Sequence, residues 1–176
     1  MDKKIKKSRT EYWPEILDLY RKVAQISGNL ARSSEEISGE YVKNFLKKSH
    51  ETGLSLIAFD SMNIIGEIHA YKLEPKVFSH VLSELTVAVH PDFQGMGLGR
   101  ALFSAFLIEV KTSRPDILRV ELISRESNKK AIHFYESLGF KQEGRLENRI
   151  DLGEGIFEAD IPMAWINQEF GKAVKS

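Results

Sequence analysis

The chain contains no cysteine. That absence excludes disulfides, thiolate zinc sites and a cysteine nucleophile together. Net charge is absent as well, because 25 lysines and arginines balance 25 aspartates and glutamates. A protein that displaces counterions from nucleic acid needs a basic excess, so nucleic acid is not an expected partner. Long apolar runs are missing too. The strongest, Ala101 to Val110, is half the length of a membrane span and carries Ser104 and Glu109. The charged start Met-Asp-Lys-Lys-Ile-Lys-Lys leads into no apolar stretch, so it does not read as a signal peptide. These absences predict a cytoplasmic protein without a membrane partner. Glycine (12) and proline (5) are too few for a fibrous chain, and a 42% hydrophobic fraction is too high for a disordered one. The 176 residues suit one domain, 1–176.

Periodicity divides the chain into short elements. Residues 3–8 suggest a first strand. Trp13, Ile16, Leu17, Tyr20, Val23 and Ala24 recur at helical spacing over Tyr12 to Ile26, with Gly28-Asn29 as a stop. Ser38, Tyr41, Val42, Phe45 and Leu46 predict a second helix ending near His50 to Gly53. Leu54 to Phe59 and Ile64 to Leu73 flank the turn-rich Asp60-Ser61-Met62-Asn63 and read as a hairpin. His80 to His90 is β-rich, Gly97 to Val110 helical, Ile117 to Ile123 a short strand, and Asn128 to Leu138 helical before Gly139. A last hairpin alternates Leu146, Ile150 and Leu152 against Arg145, Glu147, Arg149 and Asp151. After Gly153-Glu154-Gly155 it continues through Phe157, Ala159, Ile161, Met163 and Trp165. The order β-α-α-β-β-β-α-β-α-β-β implies an α/β (α+β) fold. Its sheet is mixed and largely antiparallel, of about seven strands, flanked by about four helices.

The richest stretch is Leu85-Thr-Val-Ala-Val-His-Pro-Asp-Phe-Gln-Gly-Met-Gly-Leu-Gly-Arg100. A strand runs into Gly95, Gly97 and Gly99, and a helix begins at once. Such a loop lets a ligand touch the main chain, and the helix start supplies amides and a dipole suited to a pyrophosphate. The same glycines would also serve a merely flexible turn. A Walker loop is excluded because Gly99 precedes Arg100-Ala101 rather than Lys-Ser/Thr. The dinucleotide fingerprint Gly-x-Gly-x-x-Gly does not match Gly-x-Gly-x-Gly, although Glu121 stands about 20 residues on.

Gln94-Gly-Met-Gly-Leu-Gly99 resembles the Gln/Arg-x-x-Gly-x-Gly/Ala signature of the GNAT superfamily of acyl-CoA-dependent N-acyltransferases. Asn128-Lys-Lys-Ala131-Ile-His-Phe134-Tyr135-Glu-Ser-Leu-Gly139-Phe140 resembles that family's second signature, and Asn128 stands 29 positions after Gly99. The element order is similar to the family's over a core of about 3–167. The resemblance implies an N-acetyltransferase that takes acetyl-CoA as cosubstrate and needs no metal. A primary amine, on a small molecule or a peptide, would attack the thioester directly in a ternary complex. It further implies that the pyrophosphate of coenzyme A meets the loop Gln94, Gly95, Met96, Gly97, Leu98, Gly99 and Arg100. The pantetheine arm would pair with the main chain of Val87, Ala88 and Val89, where a splayed strand pair leaves an open edge. Amides there could stabilise a tetrahedral oxyanion.

Tyr135 stands where the family carries the general acid for the departing thiolate; a phenol near pKa ~10 can donate to a thiolate near ~8.5. Its alternative is packing beside Phe134 and Phe140. Glu84 precedes Val87 by three residues, where some similar proteins place a glutamate that deprotonates the substrate ammonium. Alternation puts it on the face of Thr86 and Ala88, opposite Leu85, Val87 and Val89. A solvent-facing or substrate-orienting carboxylate is an equal reading. Asn128 is expected at the cofactor or as a helix cap, and the two roles are compatible; Ala131 shares its signature. Arg100, Arg125, Lys129 and Lys130 are candidates for the cofactor phosphates, or solvated surface.

His90-Pro-Asp92 with His133 spells an iron-triad pattern, but that spacing is common and Pro91 makes a turn, so no metal is expected. His50, His69 and His80 have no partner at ligand spacing. Phe140 to Asp160 sets Lys141, Arg145 and Arg149 against six acids, a net of −3. That bias either attracts an amine or wets a hairpin face. Homodimers are common among similar proteins. The rival reading is a noncatalytic acyl-CoA sensor or interaction domain.

Overall fold

The computed structural model describes residues 4–26, 28 and 30–172; Lys3 of the expected first strand and Asn29 of the expected helix stop lie outside them. Two compact units result, Met1–Lys72 with Thr86–Glu109, and Leu73–Leu85 with Val110–Ser176.

In the first unit, β1 (Lys4–Lys7), β2 (Leu54–Asp60) and β3 (Asn63–Tyr71) form an antiparallel ladder. Lys4 opposes Phe59, and Leu54 opposes Ala70. Helix α1 (Trp13–Ala24) carries Pro14 in its first turn and buries Ile16, Leu17, Tyr20 and Val23 of the stripe that its sequence period announces, with Leu19 beside them. Helix α2 (Gly39–Thr52) is capped by Ser38, whose Oγ accepts from Tyr41 N at 3.1 Å, and buries Val42, Phe45 and Leu46. Both stripes join one core cluster with Ile37, Ile57, Ile64 and Ala88. Two glycines mark close approaches. A Cβ on Gly53 would lie 2.0 Å from the Ala70 carbonyl oxygen, and one on Gly66 would lie 2.8 Å from Leu102 Cδ1 of α3 (Leu98–Ser113).

A buried polar network, not visible in the sequence, lies within this unit. Glu67 is 0% exposed, yet its carboxylate accepts from Tyr20 Oη at 2.6 Å and from Ser55 Oγ at 2.7 Å, and His69 Nδ1 lies 3.0 Å away. The His69 ring stacks on Phe45 at 3.9 Å between centroids. Strand alternation puts Glu67 and His69 on one side of β3, and that side packs under the helices. A buried carboxylate is tolerable only when it is satisfied in this way.

In the second unit, the first half of β4 (Val81–Val89) pairs in parallel with β5 (Arg119–Arg125), Val81 opposite Arg119 and Leu82 opposite Val120. Strand β5 pairs antiparallel with β8 (Phe157–Ile166) along its whole length, and β8 also takes β6 (Lys141–Gln142) and β7 (Leu146–Asp151). Helix α4 (Lys129–Ser137) lies between β5 and β6 in the chain, and Gly139 follows it at φ 94°. Among the described residues the structure thus has the expected mixed, mostly antiparallel sheet and four α-helices. The sheet has eight strands where about seven are expected, the two-residue β6 being too short to carry a period.

The pairing sets one face of the last hairpin, and one expectation about faces, on β4, is corrected. Leu146 and Leu152 are 38% and 50% exposed. Leu146 opposes Asp160 and Ile150 opposes Glu158, so they share the face of β8 that is turned from the buried Ala159, Ile161 and Met163. The register breaks between them, around Asn148 at φ 53°. On β4, Glu84 is exposed whereas Ala88 is fully buried, so they do not share a face. Glu84 has φ 54°, and a left-handed residue inside a strand breaks the period of two.

Candidate active site

Local chemistry builds the glycine loop. The β-branched Val87 and Val89 favour strand, and Pro91, without an N–H, ends it. The His90 N–H still donates to Ile65 O at 2.9 Å, after which the chain turns through Pro91–Phe93. Gln94 Nε2 donates back to Val89 O at 3.1 Å and ties the loop to the strand that it leaves. Gly95 and Gly97 then take φ of 73° and 78°, and α3 starts at Leu98. A Cβ at either glycine would meet no protein atom within 4 Å. Their need is therefore conformational, and the space over them is open. Gln94 to Gly97 and Arg100 are exposed, whereas Leu98 is buried and holds the helix start in the core. The first turn of a helix leaves amides without intrahelical acceptors, so the loop forms an accessible anion seat.

Val87 and Val89 are half-buried, and the side chain of Ala88 belongs to the core cluster, so any ligand at Ala88 meets its main chain only. These residues and the loop belong to the first unit; Glu84, Asn128, Ala131 and Tyr135 belong to the second.

On α4, Asn128 is the N-cap, its Oδ1 accepting from Ala131 N at 3.1 Å. The capping role is therefore present, and it employs both signature residues. Tyr135 is half-buried, with its ring 5.5 Å from Phe134 and 6.1 Å from Phe140, so the expected packing is present as well. Burial pushes its hydroxyl up to about 12. A phenol this weak stays protonated throughout the physiological range: it can donate a hydrogen bond and cannot serve as a base. Glu84 projects from the left-handed position on β4, which costs about 1–3 kcal/mol of backbone strain.

The basic candidates divide. Arg100, Lys129 and Lys130 are exposed, and Arg125 is half-buried opposite Asp160. The acidic stretch from Phe140 to Asp160 is partly neutralised. Arg119 pairs with Glu121 and Glu143, Arg145 with Glu126 and Glu147, and Arg149 with Asp160. His90 acts as a cap, its Nδ1 accepting from Asp92 N at 3.3 Å, and its aspartate neighbour is 3.8 Å away. Among the described residues no group of three or more histidines, aspartates and glutamates is arranged to hold a metal ion. No described helix is long and apolar enough to cross a membrane.

Comparison with known proteins gives three kinds of match. The model of the Acetyltransferase (GNAT) family matches residues 13–140. The [ribosomal protein bS18]-alanine N-acetyltransferase of Salmonella typhimurium is 40% identical over 84 residues, 46% of this chain and 55% of that protein. The L-amino acid N-acyltransferase MnaT of Escherichia coli is 38% identical over 63 residues, 36% of this chain and 35% of that protein. The chain thus spans about half the length of the first of these relatives and less of the second. Among solved structures, yncA of Salmonella typhimurium, determined with its cofactor acetyl-CoA, superposes with a TM-score of 0.81. It shares 17% identity over 100% of this chain and 99% of that one, a likeness of fold.

Proposed function

Since the chain belongs to the GNAT acetyltransferase family, we propose that it is a single-domain N-acetyltransferase that moves the acetyl group of acetyl-CoA onto a primary α-amine by direct attack. The observation that carries this reading is the glycine loop: two left-handed glycines with open space above them, at the start of a long helix, with five residues between the end of β4 and the first of them. That arrangement suits the pyrophosphate of coenzyme A, and the structural neighbour yncA carries acetyl-CoA by name. Acetyl-CoA would supply the activated acyl thioester. Gln94 to Arg100 would hold its phosphates, and the main chain of Val87 to Val89 would pair with its pantetheine arm. That pairing needs an open edge, and the parallel ladder between β4 and β5 covers only two residue pairs.

Glu84 takes the proton from the acceptor's ammonium, directly or through water. The amine then attacks the thioester carbonyl, a new C–N bond forms, the C–S bond breaks, the nitrogen gives up its second proton to water, and the thiolate takes one up from water to leave as free coenzyme A. Tyr135 donates a hydrogen bond to the departing thiolate. With a pKa of about 12 it is a weaker acid than a free thiol near ~8.5, so it stabilises sulfur charge more than it transfers a proton outright. Asn128 holds the start of α4 and so the position of Tyr135.

An α-amine is favoured on two grounds. The relatives that share sequence act by name on ribosomal protein alanine and on L-amino acids, both of which carry α-amines. A peptide α-ammonium near pKa ~8 is also some two units easier to deprotonate than a lysine near ~10.4, within reach of an exposed carboxylate base. Thiol release from acetyl-CoA across a panel of amines tests the reading. The expected result is release with α-amines, lost in the Gly97→Val protein. Acetyl-CoA binding with no release from any amine would leave the sensor reading instead.

A further inference from the structure

We propose that the first unit holds a second ligand site, a cleft shaped for a linear organic dication. A cavity of about 350 Å³ opens between α1, the β2–β3 turn and the His90–Phe93 turn. That volume falls in the range of small-molecule sites. Its floor is apolar and belongs to the core: Leu19, Ile64 and Ile65 are 2%, 7% and 2% exposed.

The rim is acidic from two sides. Glu15 and Asp18 come from α1, and Asp60 comes from the end of β2. Among the described residues none of these three carboxylates forms an ion pair or a side-chain hydrogen bond. Elsewhere in the same unit Glu11 pairs with Arg9 and Glu109 with Lys7. Lys22 is the one lysine or arginine that lines the cavity, which leaves the lining at −2 with His90 neutral. Carboxylates from two elements and apolar residues lining one cavity match a molecule with an ammonium at each end and methylenes to cover Leu19, Ile64 and Ile65. The Phe93 ring, edge-to-face with His90 at 5.8 Å, adds an aromatic surface for a cation.

The cleft shares its wall with the glycine loop. His90 N donates to Ile65 O, Phe93 N donates to His90 O, and Gln94 follows directly. An occupant therefore bears on the turn that leads into Gly95 and Gly97, and it alters acetyl-CoA affinity in proportion, with the reciprocal effect required by linkage. The coupling rests on the acyl-CoA reading of that loop; the site itself does not.

Isothermal titration of the full chain with 1,4-diaminobutane, at fixed ionic strength and with n-butylamine as the monocation, tests the site. The expected result is saturable one-to-one binding of the diamine, at least about tenfold tighter than the monoamine. An Asp18→Asn/Asp60→Asn double variant should weaken it about tenfold, the size of two partly exposed ion pairs. Glu84→Gln should leave it unchanged. Acetyl-CoA affinity should shift about fivefold when the diamine is present. Glu15→Gln, with a smaller loss, serves if the double variant does not fold. No saturable binding at millimolar diamine, or equal binding by the carboxylate variants, would overturn the site. Loss of binding in Glu84→Gln would assign the diamine to the acceptor position and overturn it equally. Diamine binding without any shift in acetyl-CoA affinity would overturn the coupling alone.

Discussion

At the scale of single residues, two side chains carry the proposed chemistry, and each is separable from its structural role. Tyr135→Phe keeps the packing against Phe134 and Phe140 and removes only the hydroxyl. Turnover should fall about 10²–10³-fold with acetyl-CoA affinity within a few-fold, measured by steady-state kinetics and direct titration. Full activity would reduce Tyr135 to packing. Glu84 offers a sharper separation because its backbone is left-handed. Glu84→Gln should lower turnover with acetyl-CoA affinity unchanged, measured in the same two assays. Glu84→Gly should lose the same activity while its stability in urea stays equal or rises by up to about 1 kcal/mol, since glycine relieves the strain. A Glu84→Gly protein that is markedly less stable would show that the side chain matters for folding instead. The left-handed backbone was not legible in the sequence, because the β-rich run His80 to His90 gives no local sign of a break in alternation.

At the scale of elements, the glycines fall into two kinds that substitution distinguishes. Gly53→Ala would drive a Cβ to 2.0 Å from a backbone carbonyl oxygen that cannot move, so a stability loss of about 3 kcal/mol or more is expected in chemical denaturation. A Cβ at Gly97 meets no protein atom within 4 Å, so Gly97→Val suffers chiefly the cost of a positive φ, about 1–3 kcal/mol, yet it fills the space proposed for pyrophosphate. Its coenzyme A affinity should therefore drop further than its stability, and equal affinity would remove the loop from the binding site. The elements themselves were largely legible. The stripes of α1 and α2, the β2–β3 hairpin, the strand–loop–helix and the capped α4 all follow from period and cap chemistry. The edge was less legible. Strand β6 is two residues long, and β7 turns its apolar positions toward the side of Asp160 and Glu158 around a bulge whose one local sign is Asn148, a residue type that tolerates positive φ.

At the scale of the whole molecule, the network around Glu67 shows what a single sequence hides: Tyr20, Ser55, Glu67 and His69 are scattered along the chain and meet only in the folded core. Tyr20→Phe removes one donor from a buried carboxylate and should cost about 1–3 kcal/mol of stability. Burial first, and the Glu67 carboxylate second, hold the Tyr20 hydroxyl well above its usual range, and burial raises Tyr135 to about 12. Both groups are protonated in folded and unfolded chains below pH ~10, so stability should not vary on their account there. Above ~10 the unfolded chain loses these protons first, and stability should fall as pH rises toward 12 and beyond. Absorbance titration of the five tyrosines should show Tyr20 and Tyr135 among those that ionise late, and simultaneous ionisation of all five in the folded protein would contradict the buried placement of these two. The central claim, transfer of an acetyl group to an α-amine, is tested most directly by mass spectrometry of a peptide that begins with alanine and contains an internal lysine, incubated with the protein and acetyl-CoA. The account predicts one added acetyl group, located on the alanine nitrogen by fragmentation; acetylation confined to the lysine, or none on any amine while acetyl-CoA binds, would contradict it.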